Sequence, residues 1–110
     1  MVPEVPLVAR GVGEGDASLA AALAERIGAD RVSIRAEDRE EQARDLWPLS
    51  LLWLREDRMP APPDLVCTPR TTEEVAEAIR FAREWRLAVV PHGAGSGVCG
   101  GAIHLQGGIA

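Results

Sequence analysis

Residues 64–97 read DLVCTPRTTEEVAEAIRFAREWRLAVVPHGAGSG. The run 64–68 is short, apolar and closed by Pro69, the pattern of a buried strand. Thr71-Thr72-Glu73-Glu74 then has the S/T-x-x-E form of a capping box, with Thr71 as N-cap and Glu74 at N3. Val75, Ala78, Ile79 and Ala82 fall on one apolar stripe that Phe81 and Trp85 widen, which predicts a helix from 72 to about 86. Residues 87–91 read as a second strand. Strand, capped helix and strand make a βαβ unit over 64–91, whose parallel strands need helices on both faces of their sheet.

Upstream of this unit, MPAPP at 59–63 is a stiff, extended connection and the clearest boundary in the chain. Asp16 offers an N-cap, Leu19, Leu23 and Ile27 recur at i, i+4 and i+8 on an Ala-rich background, and Gly28 stands at the C-cap position. A first helix over 17–27 follows. Residues 31–35 alternate polar and apolar, as a short strand or an extended linker does. Residues 37–45 are charged and helix-permissive, and Pro48 is expected to end or bend what they form. The apolar residues of 46–53 are expected to plug a core rather than to line a groove for a partner. Three segments result: an irregular leader at 1–15, a helical segment and linker at 16–63, and the βαβ portion at 64–110.

With 110 residues the chain forms at most one domain. A charge of -5 gives no electrostatic footprint for nucleic acid or an anionic membrane, so a phosphate ligand must be held mainly by backbone dipoles. All twelve basic residues are Arg; without Lys or Tyr the chain has no P-loop lysine, no Schiff-base lysine and no tyrosine acid. Cys67 and Cys99 lack metal-ligand spacing and read as free thiols of a reducing cytoplasm. No run is long enough to span a bilayer, and no metal site is expected.

The strand at 87–91 leads into Pro91-His92-Gly93-Ala94-Gly95-Ser96-Gly97-Val98-Cys99-Gly100-Gly101, with five glycines between 93 and 101. Three chemistries compete for it. Gly95-x-Gly97-x-x-Gly100 satisfies the G-x-G-x-x-G string of NAD-type dinucleotide loops, but that mechanism places the third glycine inside a helix facing the pyrophosphate. The residues after it, AIHLQGG at 102–108, are too glycine-rich for a helix, at ~1 kcal/mol per glycine relative to Ala. A serine nucleophile elbow at Ser96 requires glycines where Ala94 and Val98 stand. The third chemistry is a backbone nest, in which successive N–H groups cradle a diphosphate without helix or lysine. Gly93, Gly95 and Gly97 at alternate positions suit it, Ala94 and Ser96 are small enough for close approach, and the Ser96 hydroxyl is a further donor. A loop that merely turns a corner needs fewer glycines.

The order Pro69-Arg70-Thr71-Thr72-Glu73-Glu74-Val75, amphipathic helix, then Val89-Val90-Pro91-His92-Gly93-Ala94-Gly95-Ser96-Gly97 resembles the first half of the PCMH-type FAD-binding domain of the vanillyl-alcohol-oxidase superfamily. Among its members the chain is most similar to FAD-linked oxidases such as the glycolate oxidase large subunit, D-lactate dehydrogenases and alkyl-dihydroxyacetonephosphate synthase. Ile27-Gly28-Ala29-Asp30-Arg31-Val32 and Asp45-Leu46-Trp47-Pro48 extend the likeness upstream. The resemblance implies an α+β (α/β) lobe, a small parallel sheet with flanking helices, that is the incomplete first subdomain of such a domain. It also implies that residues 91–97 wrap the FAD pyrophosphate, with Gly100 and Gly101 continuing the turn.

Covalent members place a flavin-linked His where this chain has Gly95, so FAD is expected to bind noncovalently. His92 takes a position often held by Arg or a hydrophobic residue, and packing or solvent is its expected role. The family's cap domain supplies the acid–base groups, so no catalytic residue is expected here. The chain is expected to be a fragment: a truncated product, a split subunit whose remainder is a separate chain, or a portion of a longer flavoenzyme acting on a 2-hydroxy acid. Alone it is expected to bind FAD weakly or not at all. The alternatives are a noncatalytic nucleotide-binding or interaction module and a nonfunctional remnant.

Overall fold

The computed structural model describes residues 8–9, 15–59 and 62–110. Its order is β1 (Val8–Ala9), α1 (Ala17–Ile27), a 3-10 turn at Ala29–Arg31, β2 (Val32–Ser33), α2 (Ala36–Glu41), α3 (Pro48–Arg55), β3 (Arg58–Met59), β4 (Val66–Cys67) and α4 (Thr72–Glu84). The strand at 8–9 interrupts the segment expected to be irregular. The rest of 1–14, and the centre of the MPAPP connection, lie outside the described residues.

Both main helices start and stop where their sequences say. The Asp16 carboxylate accepts the N–H of Leu19 at 3.0 Å, and Gly28, at φ 104, ends α1 with its N–H on the carbonyl of Ala24. Thr71 Oγ1 accepts the N–H of Glu74 at 3.1 Å, and the Glu74 carboxylate reaches back to the N–H of Arg70 at 2.6 Å. That bond, with the Arg31 guanidinium, holds the Glu74 carboxyl below the usual carboxylate range.

The core forms where α1 crosses α4. Leu19 and Leu23 of α1 meet Ala78, Phe81 and Ala82 of α4 over Leu65 and Ile109 of the sheet. Leu23, Leu65 and Phe81 are fully buried, and side chains of this kind each contribute about 1.5–3 kcal/mol on leaving water. Arg26 covers the rim: it pairs with Glu77 and Glu84 and lies 5.1 Å above the Phe81 ring.

The sheet differs from the simple βαβ expectation. Its two regular ladders are antiparallel: β1 on β3, and β2 on β4 with Val32 opposite Cys67. The parallel component is carried by Ile109, which bridges Leu65 on one side and Val89 on the other. The N–H of Ile109 donates to Ala88 O at 2.8 Å, that of Val90 to Ile109 O at 2.9 Å, and that of Cys67 to Ala110 O at 2.8 Å. The strands before and after α4 therefore run parallel without touching, because residues 108–110 slot between them.

The middle segment is also where expectation needs its other corrections. Pro48 starts a helix instead of ending one; at N1 its missing N–H has no partner to lose. α3 has only eight residues and buries Ser50 and Trp53, so Leu51 and Leu52 on its other side are exposed, as is Leu46 before it. These three leucines do not plug a core.

Candidate functional site

The glycine loop leaves the sheet after Val90 and returns to it at Ile109, carrying no helix between. Pro91, Gly93, Ala94, Ser96, Gly97 and Gly101 are exposed, whereas His92, Gly95 and Gly100 are half-buried. The expected alternation of glycine-only conformations at 93, 95 and 97 is not what the backbone adopts. Left-handed φ occurs at Gly95 (68°) and Gly100 (79°), and not at Gly93 or Gly97. Each of the two has a specific neighbour: a Cβ on Gly95 would stand 2.8 Å from His92 Nε2, and one on Gly100 2.7 Å from the Trp47 ring.

Gly93 and Gly101 differ from these. Nothing lies within 4 Å of where their Cβ atoms would be, so this chain's own packing makes no use of their small size. Among the described residues, moreover, no N–H from Gly93 to Gly101 donates to a backbone carbonyl. Unpaired amide donors over open space, on residues that let a ligand come close, are what an anion nest requires. Ser96, exposed, adds a hydroxyl.

A cleft of about 300 Å³ separates the loop from the α2–α3 connection. His92, Ala94 and Gly95 form one wall, and Arg44, Asp45 and Leu46 the other. Arg44 and Glu41 both line the cleft, and Asp45 is 3% exposed with Oδ2 unpartnered. His92 Nδ1 is likewise buried without a partner, so the ring packs against Gly95 rather than facing solvent. His104 has a role that its sequence neighbours do not reveal. It is fully buried, and its Nδ1 meets the carbonyl of Gly107 at 3.0 Å, closing the turn that feeds Gly108 into the sheet. Burial pulls its imidazole below the ordinary value, against the pull of that carbonyl.

Cys67 and Cys99 are free thiols, and burial pushes that of Cys67 up, away from thiolate reactivity. Among the described residues no group of three or more His, Cys, Asp or Glu side chains is placed to hold a metal ion, and no helix is long and apolar enough to cross a membrane. The contribution of the α2–α3 connection to the loop was the main feature missed from sequence. The Asp45-Leu46-Trp47-Pro48 string was visible, but nothing in it specifies what it touches.

Residues 63–110 match the model of a family described as FAD binding domain. Over 48 residues the chain is 44% identical to a probable mitochondrial D-lactate dehydrogenase of Danio rerio, which covers 44% of this chain and 10% of that protein. Over 47 residues it is 38% identical to the glycolate oxidase subunit GlcD of Bacillus subtilis (strain 168), covering 43% of this chain and 10% of that one. The chain thus spans about a tenth of the length of these curated relatives. A solved structure of alkyldihydroxyacetonephosphate synthase superposes on 99% of the chain, and 21% of its own, with a TM-score of 0.78 at 18% identity, a likeness of fold.

Proposed function

We propose that this chain, whose residues 63–110 match an FAD-binding domain, supplies the diphosphate-binding loop of an FAD-dependent oxidoreductase of the PCMH-type FAD-linked oxidase superfamily. The single observation that carries the reading is that, among the described residues, no N–H from Gly93 to Gly101 donates to a backbone carbonyl, with open space at the Cβ positions of Gly93 and Gly101. The residues fit the group: Gly93, Ala94, Gly95, Ser96 and Gly97, flanked by Pro91 and His92, would hold one side of the diphosphate, with Gly100 and Gly101 beside it. FAD, when bound, supplies the hydride and electron chemistry.

This chain's part is binding and orientation. Its amide dipoles stabilise the two phosphate charges, and Arg44 at the cleft adds a cation where the sequence has no lysine to offer. Gly95 has no side chain to bond to a flavin, so the attachment is noncovalent. The functional division falls near MPAPP, with 16–63 as a supporting segment and 64–110 as the FAD portion. The remainder of the flavoenzyme, on the same or a separate chain, would shape the substrate site, and a 2-hydroxy acid is the substrate class the named relatives suggest. The free thiols are consistent with a reducing, cytoplasmic setting.

Titration of the chain with FAD, NAD and ADP, read by flavin fluorescence and calorimetry, tests the proposal. Weak binding of FAD in preference to NAD, with competition by ADP through the shared diphosphate, is expected. Saturable NAD binding tighter than that of FAD would instead support a noncatalytic nucleotide-binding module and overturn the flavin reading.

A further inference from the structure

Resting on the reading that the glycine loop receives the FAD diphosphate, we infer that Asp45, Leu46 and Trp47 are positioning residues that clamp this loop in its ligand-ready shape. The contacts fall at two points. At the first, the N–H of Leu46 donates to the carbonyl of Gly97 at 2.9 Å, pinning the middle of the loop to the α2–α3 connection. At the second, the Trp47 indole lies so close to Gly100 that a Cβ there would approach its ring to 2.7 Å, and Gly100 can take its φ of 79° only because it is glycine.

The clamp is itself braced. Asp45 Oδ1 accepts the N–H of Trp47 at 2.9 Å, and the Ser50 hydroxyl of α3 donates to the Asp45 carbonyl at 3.2 Å. Trp53 of α3, nearly buried, meets Trp47 edge-on with ring centroids 5.7 Å apart. A rigid path therefore runs from α3 through Trp47 to the loop.

The physical need for such a path lies in the loop's own composition. A glycine-rich segment loses more conformational freedom on ordering than any other, and a loop ordered only by its ligand charges that loss against affinity. Pinning Gly97 and Gly100 beforehand removes part of that loss without engaging the loop's own amide donors. The buried Asp45 Oδ2 lies 3.7 Å from where a Cβ of Gly97 would be, so the loop is in contact with the clamp at Gly97 and open over Gly93 and Gly101.

The test uses Trp47→Ala and Asp45→Ala beside the conservative Trp47→Phe and Asp45→Asn, the last retaining an acceptor for the Trp47 N–H. Hydrogen exchange over residues 95–101 is compared with that over α1 and α4, followed by FAD titration. Both alanine variants are expected to exchange about tenfold faster in the loop, with α1 and α4 unchanged. FAD binding should weaken by about tenfold, and the Phe and Asn variants should recover most of both effects. Unchanged loop exchange in the alanine variants overturns the clamp, and so does a loosened loop with unaltered FAD affinity. Loss of protection in α1 and α4 without recovery in the conservative variants also overturns it, because the three residues would then serve the fold alone. If the unsubstituted chain binds FAD too weakly to titrate, the exchange measurement alone decides the clamp.

Discussion

Replacing Gly108 by Ala should be among the most damaging single changes in the chain. Gly108 sits at φ 87°, and a Cβ there would lie 2.2 Å from the carbonyl oxygen of Ala88 and 2.9 Å from its carbon. Those are backbone atoms of a neighbouring strand, so no side chain can rotate away. The left-handed conformation alone costs an alanine about 1–2 kcal/mol. To relieve the clash the 108–110 segment must move off Ala88, which breaks the Ile109 N–H bond to Ala88 O and strains that of Asp64 N–H to Gly108 O. Two such bonds add about 1–3 kcal/mol. The total of about 2–5 kcal/mol is a large part of the 5–15 kcal/mol that stabilises a typical domain. Urea unfolding followed by far-UV circular dichroism measures it, with Gly101→Ala as the internal control. No neighbour lies within 4 Å of a Cβ at Gly101, so that change should stay within about 0.5 kcal/mol of the parent. A Gly108→Ala cost below about 1 kcal/mol would refute the argument that residues 108–110 are locked between their neighbours.

Three further outcomes are expected. Gly93→Val should leave the urea midpoint unchanged, because nothing surrounds its Cβ position, yet weaken FAD binding by an order of magnitude or more by filling the approach to the amides; equal affinity in the titration would remove Gly93 from the site. Thr71→Ala deletes the cap on α4 and should cost about 1 kcal/mol in thermal or urea unfolding, with Thr71→Ser restoring most of it. His104 gives a pH signature: burial depresses its folded-state value, so its contribution is fully present above the ordinary imidazole value of about 6.5. Below that value the unfolded chain takes up a proton that the folded chain refuses, and stability is lost as pH falls toward the depressed value. The urea midpoint should therefore drop between about pH 7.5 and 5.5, above the range where carboxylates titrate, and His104→Gln should flatten the drop; a midpoint rising over that interval contradicts the assignment.

The elements that sequence made legible are those whose signals are local. α1 and α4 carry their caps, stripes and stops within a few residues of one another, so Asp16, Gly28 and Thr71 could be assigned without a partner. The glycine loop was legible as a loop, since no helix can follow it through Gly107 and Gly108. Its conformation was not: the two left-handed glycines, Gly95 and Gly100, are the ones packed against the His92 and Trp47 rings, contacts that spacing does not encode. The insertion of Ile109 between Leu65 and Val89 was hidden for the same reason. A strand of two or three residues has no periodicity to display, and its neighbours are chosen by burial against Phe81 and Leu23. The antiparallel ladders of β1 with β3 and β2 with β4 are equally short.

The position of Ile109 also sets an order of events during synthesis. The strands on either side of it emerge first, yet they do not pair with each other, so the parallel part of the sheet stays open until residues 108–110 arrive. Closing it joins Asp64 to Gly108 across 44 positions, a long-range step that comes late and slowly compared with forming α1 and α4. Until then Leu65 and the inner face of α4 lack their lid, and the nascent chain exposes the apolar surface that chaperones bind and that aggregation exploits.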